Sequence, residues 1–158
     1  MEIIPTDHQN RNQVNTFIAE HWGGTLMVIC GEEVDVAGYL GFAAMEENSV
    51  VGVVCYRIQE DLGEIILLHS LVKRSGRGKS MLAEAERAAY RNGCTLMKVV
   101  TTNDNIDALR FYQRCGYDLV KVHYNSMDLV RRIKPYVPLV GEYGLPLKSE
   151  MELVKALK

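Results

Sequence analysis

Basic residues and glycines lie close together in the middle of the chain, at residues 73–80. The two glycines of this segment allow the backbone to curl, so that successive N–H groups point at one place. The helix that we expect from about Gly78 adds the positive end of its dipole. Arg74, Arg77 and Lys79 add fixed positive charge. This combination predicts a site for a ligand that carries several phosphate groups.

Two kinds of phosphate-binding turn use such residues, and the spacing of the glycines separates them. Gly78-Lys79-Ser80 after a predicted strand is similar to the end of a P-loop. A P-loop also requires a glycine five residues before Gly78, where this chain has Lys73. No aspartate that could hold magnesium ends the next predicted strand. The spacing therefore disfavours a nucleotide hydrolase.

Two segments of the chain have the spacing of known motifs. The turn reads Lys73-x-x-Gly76-x-Gly78, and residues 105–117 read Asn-x-x-Ala-x-x-Phe-Tyr-x-x-x-Gly-Tyr. The first resembles the acyl-CoA turn of the GCN5-related N-acetyltransferase (GNAT) superfamily, with lysine in place of glutamine or arginine, and the second resembles the second motif of that superfamily. Because the order and separation of the motifs also match, the chain is identified as a member of this superfamily.

The resemblance implies acetyl transfer from acetyl-CoA to a primary amine of a small molecule or protein, by direct attack in a ternary complex. It implies that the main-chain amides of the turn bind the pyrophosphate and that the preceding strand holds the pantetheine arm. The cofactor-binding residues implied in this way are Leu68, Ser70, Leu71, Lys73, Arg74, Ser75, Gly76, Arg77, Gly78, Lys79, Ser80, Asn105 and Tyr112.

Three catalytic residues follow from the same resemblance. Tyr112 is expected to hydrogen-bond the leaving thiolate, and a main-chain N–H near Leu68 is expected to polarise the thioester carbonyl. Glu64 and His69 are candidate bases for the amine. Other readings stay open: a solvated carboxylate for Glu64, core side chains for His69 and Tyr112, and a helix N-cap for Asn105.

A protein without catalysis is the competing hypothesis. Lys73 departs from the motif and no base is unambiguous, which fits an acetyl-CoA-binding sensor or interaction module. Retention of Tyr112 favours an enzyme.

The composition fits one domain of 158 residues, 47% of them hydrophobic. A net charge of −2 argues against partners such as nucleic acid or an anionic membrane. The four cysteines are widely spaced and, like the four histidines, lack metal-ligand spacing, so we expect no metal. Reduced thiols predict a cytoplasmic location.

Periodicity predicts an α/β (α+β) fold, with a mixed central sheet flanked by helices. Residues 1–126 are expected to form the acetyltransferase domain, with a hairpin at Glu47-Asn48 and a loop at 32–41 that borders the acceptor site. Residues 127–158 are expected to form an extension that packs on the same domain or on a dimer partner. Within it, residues 127–134 and a capping box of Ser149 and Glu152 predict two helices.

Overall fold

The structure is a computed structural model that describes residues 1–72 and 75–158, so the predicted cofactor-binding residues Lys73 and Arg74 lie outside the described residues. Within those ranges the elements are β1 (Glu2–Pro5), α1 (Arg11–Trp22), β2 (Leu26–Ile29), β3 (Glu32–Asp35), β4 (Gly41–Glu46), β5 (Ser49–Gln59), β6 (Leu62–Ser70), α2 (Arg77–Arg91), β7 (Leu96–Thr102), α3 (Ile106–Arg114), β8 (Asp118–His123), α4 (Met127–Ile133) and β9 (Glu150–Ala156). Seven strands belong to the central sheet of a mixed α/β fold flanked by four helices. The predicted fold class is confirmed.

The described chain divides into two compact units. The first consists of Met1–Met27, Asp35–Met97 and Leu157–Lys158, and the second of Val28–Val34 and Lys98–Ala156. In the first unit β1, β4, β5 and β6 follow one another in the sheet, and each neighbouring pair is antiparallel. In the second unit β8 and β9 pair antiparallel. Each unit therefore holds its own part of the sheet's strands.

Helix α2 packs closely on the first unit's strands because two glycines leave room for it. Its buried residues recur at helical spacing, at Met81, Leu82, Ala85 and Ala89. A Cβ on Gly52 would lie 2.7 Å from the Met81 methyl group, and one on Gly63 would lie 3.2 Å from the Ala89 methyl group. Both glycines therefore face α2, and side chains at these positions would push the helix away.

Strand β6 contains a β-bulge. Cys55 of β5 lies opposite Leu67, whereas the next residue, Tyr56, lies opposite Ile65. Ile66 is therefore an extra residue with no partner in β5. A bulge of this kind interrupts the alternation of side chains between the two faces of a strand.

The bulge changes which side chains share a face of β6. Ser70 lies opposite Gly52, so it faces α2 as Gly63 does. In a regular strand Ser70 would face the other way, because it follows Gly63 by seven positions, an odd number. Glu64 follows Gly63 and His69 precedes Ser70, so both point away from α2. Glu64 and His69, the two candidate bases, thus lie on the same face, whereas a regular strand would place them on opposite faces.

The capping box predicted at the end of the chain is wrong, because this segment is strand β9. The Ser149 hydroxyl accepts a hydrogen bond from the Asn125 N–H at 3.1 Å and so does not cap a helix. The Glu152 carboxylate lies 3.0 Å from His123 Nε2 on the neighbouring strand. Cross-strand contacts of this kind, which a local motif does not reveal, determine the structure of the segment.

The prediction of a loop at 32–41 is also wrong in part, since β3 and a 3₁₀ turn (Val36–Gly38) lie there. Buried Val34 and Val36 alternate with exposed Glu33 and Asp35, which is the pattern of a half-buried strand. The Asp35 carboxylate then caps the turn by accepting the Ala37 N–H at 3.0 Å. This hydrogen bond lowers the pKa of Asp35.

The other predicted elements are confirmed. Glu47 and Asn48 connect β4 and β5 with φ values of 50° and 66°, as a tight hairpin turn requires. Helix α4 ends just before Pro135.

None of the helices in residues 1–72 and 75–158 is long and apolar enough to span a membrane. The boundary between 126 and 127 stays a prediction.

Candidate functional site

The residue before α2 has an unusual backbone conformation. Gly76 is the residue before the helix and has φ +81°, a left-handed conformation that other residues adopt only at a cost. A Cβ at this position would meet nothing within 4 Å. Glycine is therefore needed here for its backbone conformation and not for space.

The first turn of α2 presents main-chain N–H groups. The first helical hydrogen bond runs from the Ser80 N–H to the Gly76 carbonyl at 3.0 Å. The Arg77 N–H reaches the Ser75 hydroxyl oxygen at 3.4 Å. Within the described residues, the N–H groups of Gly78 and Lys79 donate to no acceptor. Together with the helix dipole, these N–H groups can bind an anionic group such as a phosphate.

Side chains of the turn differ in what they contact. Lys79 and Ser80 are exposed. Arg77 is instead directed to Glu46 at the end of β4, with 2.5 Å between the guanidinium and the carboxylate. Ser75 donates its hydroxyl to the Val72 carbonyl at 2.8 Å. The turn is thus fixed by its own polar side chains, and Arg77 is held by an ion pair.

The end of β6 is the segment that the sequence predicts to lie beside the cofactor. Leu68 is half-buried opposite Val54, and Ser70 donates its hydroxyl to the Val72 carbonyl at 3.3 Å. Leu71 is exposed, but its N–H bonds the Val51 carbonyl at 3.0 Å. The Leu71 N–H is therefore already used within the first unit.

Glu64 is buried in an ion pair. Its side chain is 5% exposed, and Oε1 accepts hydrogen bonds from Arg57 Nε at 3.1 Å and Arg57 Nη2 at 2.9 Å. The two residues lie directly opposite each other on β5 and β6. The alternative of a solvated carboxylate is thus wrong, and a proton-accepting role for Glu64 would involve Arg57.

His69 lies in a cluster of four aromatic rings, which we call the ring cluster: Phe17, His21, Trp22 and His69. The His21 and His69 rings stack with centroids 5.0 Å apart and planes at 18°. Phe17 and Trp22 meet the His69 ring edge-on, at 5.7 Å and 5.9 Å. His69 is half-buried while His21 and Trp22 are exposed, so the cluster lies at the surface.

The second unit holds Asn105 and Tyr112. Asn105 precedes α3, and its side-chain oxygen accepts the Ala108 N–H at 3.1 Å. This is the N-cap that the sequence left open beside a cofactor role. The cap uses the oxygen of the amide group, and the amide nitrogen is a donor that a ligand could use.

Tyr112 is a buried residue of α3. Its ring meets those of Phe111 and Tyr117 edge-on, with centroids 5.1 Å and 5.5 Å away. Burial raises the pKa of Tyr112 above the ordinary value of 10.0, and the nearby Cys115 adds to the shift. The phenol is therefore protonated at neutral pH and can donate a hydrogen bond.

Cys55 is unsuited to act as a nucleophile. It is 1% exposed, and burial raises the pKa of its thiol to about 12. The thiolate is the reactive form of cysteine, so this residue is inert near neutral pH.

Several residues that shape the site were missed in the sequence. Three residues lie on other elements than the predicted site residues that they contact, and no local motif marks them: Arg57, Glu46 and Trp22. His21 carries a weak signal, since it follows Phe17 by four residues and both lie on one side of α1.

Comparison with known proteins gives consistent matches. The model of the acetyltransferase (GNAT) family matches residues 8–117. The uncharacterized protein YxbD of Bacillus subtilis (strain 168) is 37% identical over 163 residues, which cover 100% of both chains.

Solved structures share the fold at low identity. A Bacillus subtilis acetyltransferase in complex with CoA has a TM-score of 0.70 at 16% identity, with 99% of each chain covered. The aminoglycoside 6'-N-acetyltransferase from Enterococcus faecium has a TM-score of 0.70 at 15% identity, with 100% of this chain and 98% of the other covered. From the family match and the full-length relative, the chain belongs to the GNAT family of acetyltransferases.

Proposed function

We propose that this acetyltransferase transfers an acetyl group from acetyl-CoA to a primary amine of a small molecule or a protein. The observation that carries the proposal is the start of α2. There, Gly76 has a left-handed backbone, and the Gly78 and Lys79 N–H groups are available to a phosphate. CoA in the related Bacillus subtilis structure supports the choice of cofactor.

We assign the cofactor-binding role to residues of β6 and of the two family motifs. Ser75, the two glycines and the N–H groups of α2 would bind the pyrophosphate, while Lys79 adds positive charge. Leu68, Ser70 and Leu71 would lie beside the pantetheine arm, and the Asn105 amide would donate to the cofactor. The remaining proposed cofactor-binding residues are Lys73, Arg74, Arg77, Ser80 and Tyr112.

The bound thioester would supply the acetyl group, and the chain's own residues would manage charge and protons. The bulge in β6 leaves Ile66 outside the ladder with β5, and a main-chain N–H near Leu68 would polarise the carbonyl. The Tyr112 phenol would donate a hydrogen bond to the leaving sulfur. Glu64 or His69 would accept the proton of the amine, directly or through water.

We propose that the group that accepts the acetyl group is an amine. The related Enterococcus faecium protein is an aminoglycoside 6'-N-acetyltransferase, which is consistent with an amino group as acceptor. The raised pKa of the buried Cys55 thiol makes this cysteine unsuited to carry the acetyl group, and we propose direct attack by the amine. A cytoplasmic location, dimerisation, and packing of residues 127–158 on the acetyltransferase domain or on a dimer partner remain part of the proposal.

The test compares two glycines at opposite ends of α2. Gly76 and Gly93 have φ values of 81° and 87°, and a Cβ would meet nothing within 4 Å at either one. Gly76→Ala and Gly93→Ala should therefore each cost roughly 1–2 kcal/mol of stability through backbone strain alone. Only Gly76→Ala should also weaken the rise in Tm that acetyl-CoA produces in a thermal-shift titration.

The controls separate the competing functions. Equal responses of the two variants to acetyl-CoA would contradict the proposed site, and a rise with ATP and magnesium alone would favour a P-loop protein. The binding assay is followed by an amine screen that measures free CoA thiol. Acetyl-CoA binding without turnover of any amine would favour the silent sensor.

A further inference from the structure

Three side chains of α1 contact the ring of His69. Phe17 and Trp22 meet it edge-on, with interplanar angles of 64° and 79°. His21 instead lies nearly parallel to it, at 18° and with 5.0 Å between the ring centroids. Of these three side chains, His21 is thus the one that stacks on the His69 imidazole.

His21 is itself held in place by α1. It follows Phe17 by four residues, so the two lie on the same side of the helix, and their ring centroids are 4.5 Å apart. Phe17 is 5% exposed and belongs to the buried side of α1 together with Val14 and Ile18. The anchored ring of Phe17 therefore supports His21, and His21 in turn restricts the ring of His69.

The orientation of the His69 ring matters because His69 is the more accessible of the two candidate bases. Glu64 is buried and paired with Arg57, whereas His69 is half-buried in a cluster at the surface. A general base must bring its accepting atom within about 2.6–3.2 Å of the proton donor. The torsion that turns an imidazole ring has broad minima, so an unrestrained ring samples many orientations. Stacking on a fixed neighbour reduces this freedom.

We propose that His21 is a positioning residue of the acetyl transfer, which holds the His69 ring so that one of its nitrogens accepts the proton of the amine. This inference depends on the proposed acetyltransferase function, with His69 as the base. In the transfer the amine nitrogen bonds to the acetyl carbon, and the C–S bond of acetyl-CoA breaks. One proton passes from that nitrogen to His69, and CoA leaves as the thiolate. His21 takes no part in these bonds and acts through His69.

The kinetic test uses n-butylamine as the acceptor, or the fastest amine of the screen where n-butylamine is not a substrate. His21→Ala should lower kcat about tenfold, because a general base contributes about 10²–10⁴-fold and misplacement removes part of that. The KM for acetyl-CoA should not change. His21→Phe keeps a ring at this position and should restore kcat to within about twofold of the wild type. His8→Ala removes an exposed histidine that precedes α1 and is the matched control, with kcat unchanged.

A double variant shows whether His21 acts through His69. When His69 is already alanine, His21→Ala should have no further effect on kcat, because residues that act as a unit are not additive. A further tenfold loss in that background, or a wild-type kcat in His21→Ala, overturns the inference. It is also overturned if His21→Phe fails to restore the rate, since the contribution of His21 is then not the orientation of a ring.

NMR relaxation tests the positioning without turnover. The chain has four histidines, and the Cε1–H signal of His69 is assigned as the one that His69→Asn removes. The order parameter of this bond should fall in His21→Ala and stay near the wild-type value in His21→Phe. Equal order in all three proteins overturns the inference. If the order of His69 depends on His21 but the wild type acetylates no amine, the proposed function fails while the contact stands, so the two failures are distinguishable.

Discussion

The turn at residues 75–80 and helix α3 both match motifs of the family, but they offer different kinds of atoms to a ligand. The turn depends on the left-handed backbone of Gly76 and on main-chain N–H groups. Helix α3 instead offers the Asn105 amide and the Tyr112 phenol, both side-chain groups. Side-chain changes that preserve backbone conformation should therefore have smaller effects in the turn than at Asn105 and Tyr112.

The largest effect is expected from Arg57→Met, the first step in testing whether Glu64 of the first unit is a catalytic side chain. Arg57→Met would leave the Glu64 carboxylate buried and unpaired, so we expect a loss of about 3–5 kcal/mol of unfolding free energy. Urea denaturation measures this loss.

A double variant then separates stability from chemistry. Arg57→Met with Glu64→Leu should recover most of the stability, because it removes the buried charge. If the stable double variant keeps full activity, Glu64 is not the base, and the contribution of β6 is the main chain and His69.

Tyr112→Phe tests the side-chain contribution of α3. Loss of a hydrogen bond to a charged sulfur should raise the activation free energy by about 1.5–3 kcal/mol. This change lowers kcat roughly 10- to 150-fold, and acetyl-CoA binding should be nearly unchanged. Tyr117→Phe, in the neighbouring buried ring, is the matched control and should keep kcat. A wild-type rate in Tyr112→Phe contradicts the assigned role.

The pH dependence of the same residue follows from its pKa. Burial raises the pKa of Tyr112 above 10.0, so the phenol stays protonated as pH rises to that value. Between pH 7 and 10, a rate profile of the wild type should show no loss of kcat from ionisation of this group. A loss in that range that Tyr112→Phe abolishes argues for a lower pKa.

A smaller effect is expected at Asn105, where capping and ligand binding can be separated. Asn105→Ala should cost about 1 kcal/mol of stability through the lost cap on the Ala108 N–H. Asn105→Asp keeps an acceptor for the cap but removes the amide donor. Weaker acetyl-CoA binding in the stable aspartate variant, measured by calorimetry, supports a cofactor role, and unchanged binding leaves only the cap.

The smallest effect is expected from Glu46→Gln, which releases Arg77. Because the Glu46 side chain is 41% exposed, we expect less than about 1 kcal/mol of stability change. The dissociation constant of acetyl-CoA should change by a factor of about five or less. A much larger change would mean that side chains in the turn matter as much as those of α3.

The motifs and the main elements could be predicted from the sequence because they depend on local spacing. The glycines of the turn, the cap at Asn105 and the hairpin at Glu47-Asn48 are each determined within a few residues. The prediction of a helix at Ser149 failed because partners on other elements outcompete the local motif.

Contacts across strands could not be read from the sequence. The ion pair of Glu64 depends on Arg57 being opposite it, and that register depends on where β6 bulges. The stacking of His21 on His69 likewise depends on how α1 crosses the sheet. Composition and periodicity specify neither the register of β6 nor the way α1 crosses the sheet.

The bulge at Ile66 determines which chemistry strand β6 offers. If β6 paired with β5 without the bulge, Ile66 would lie opposite Tyr56, and every residue before it would shift by one position. Glu64 would then lie opposite Ile58 and face α2, and Gly63 would no longer make room for Ala89. A one-residue change in register would thus exchange a charged face for an apolar one, without altering any side chain of the site.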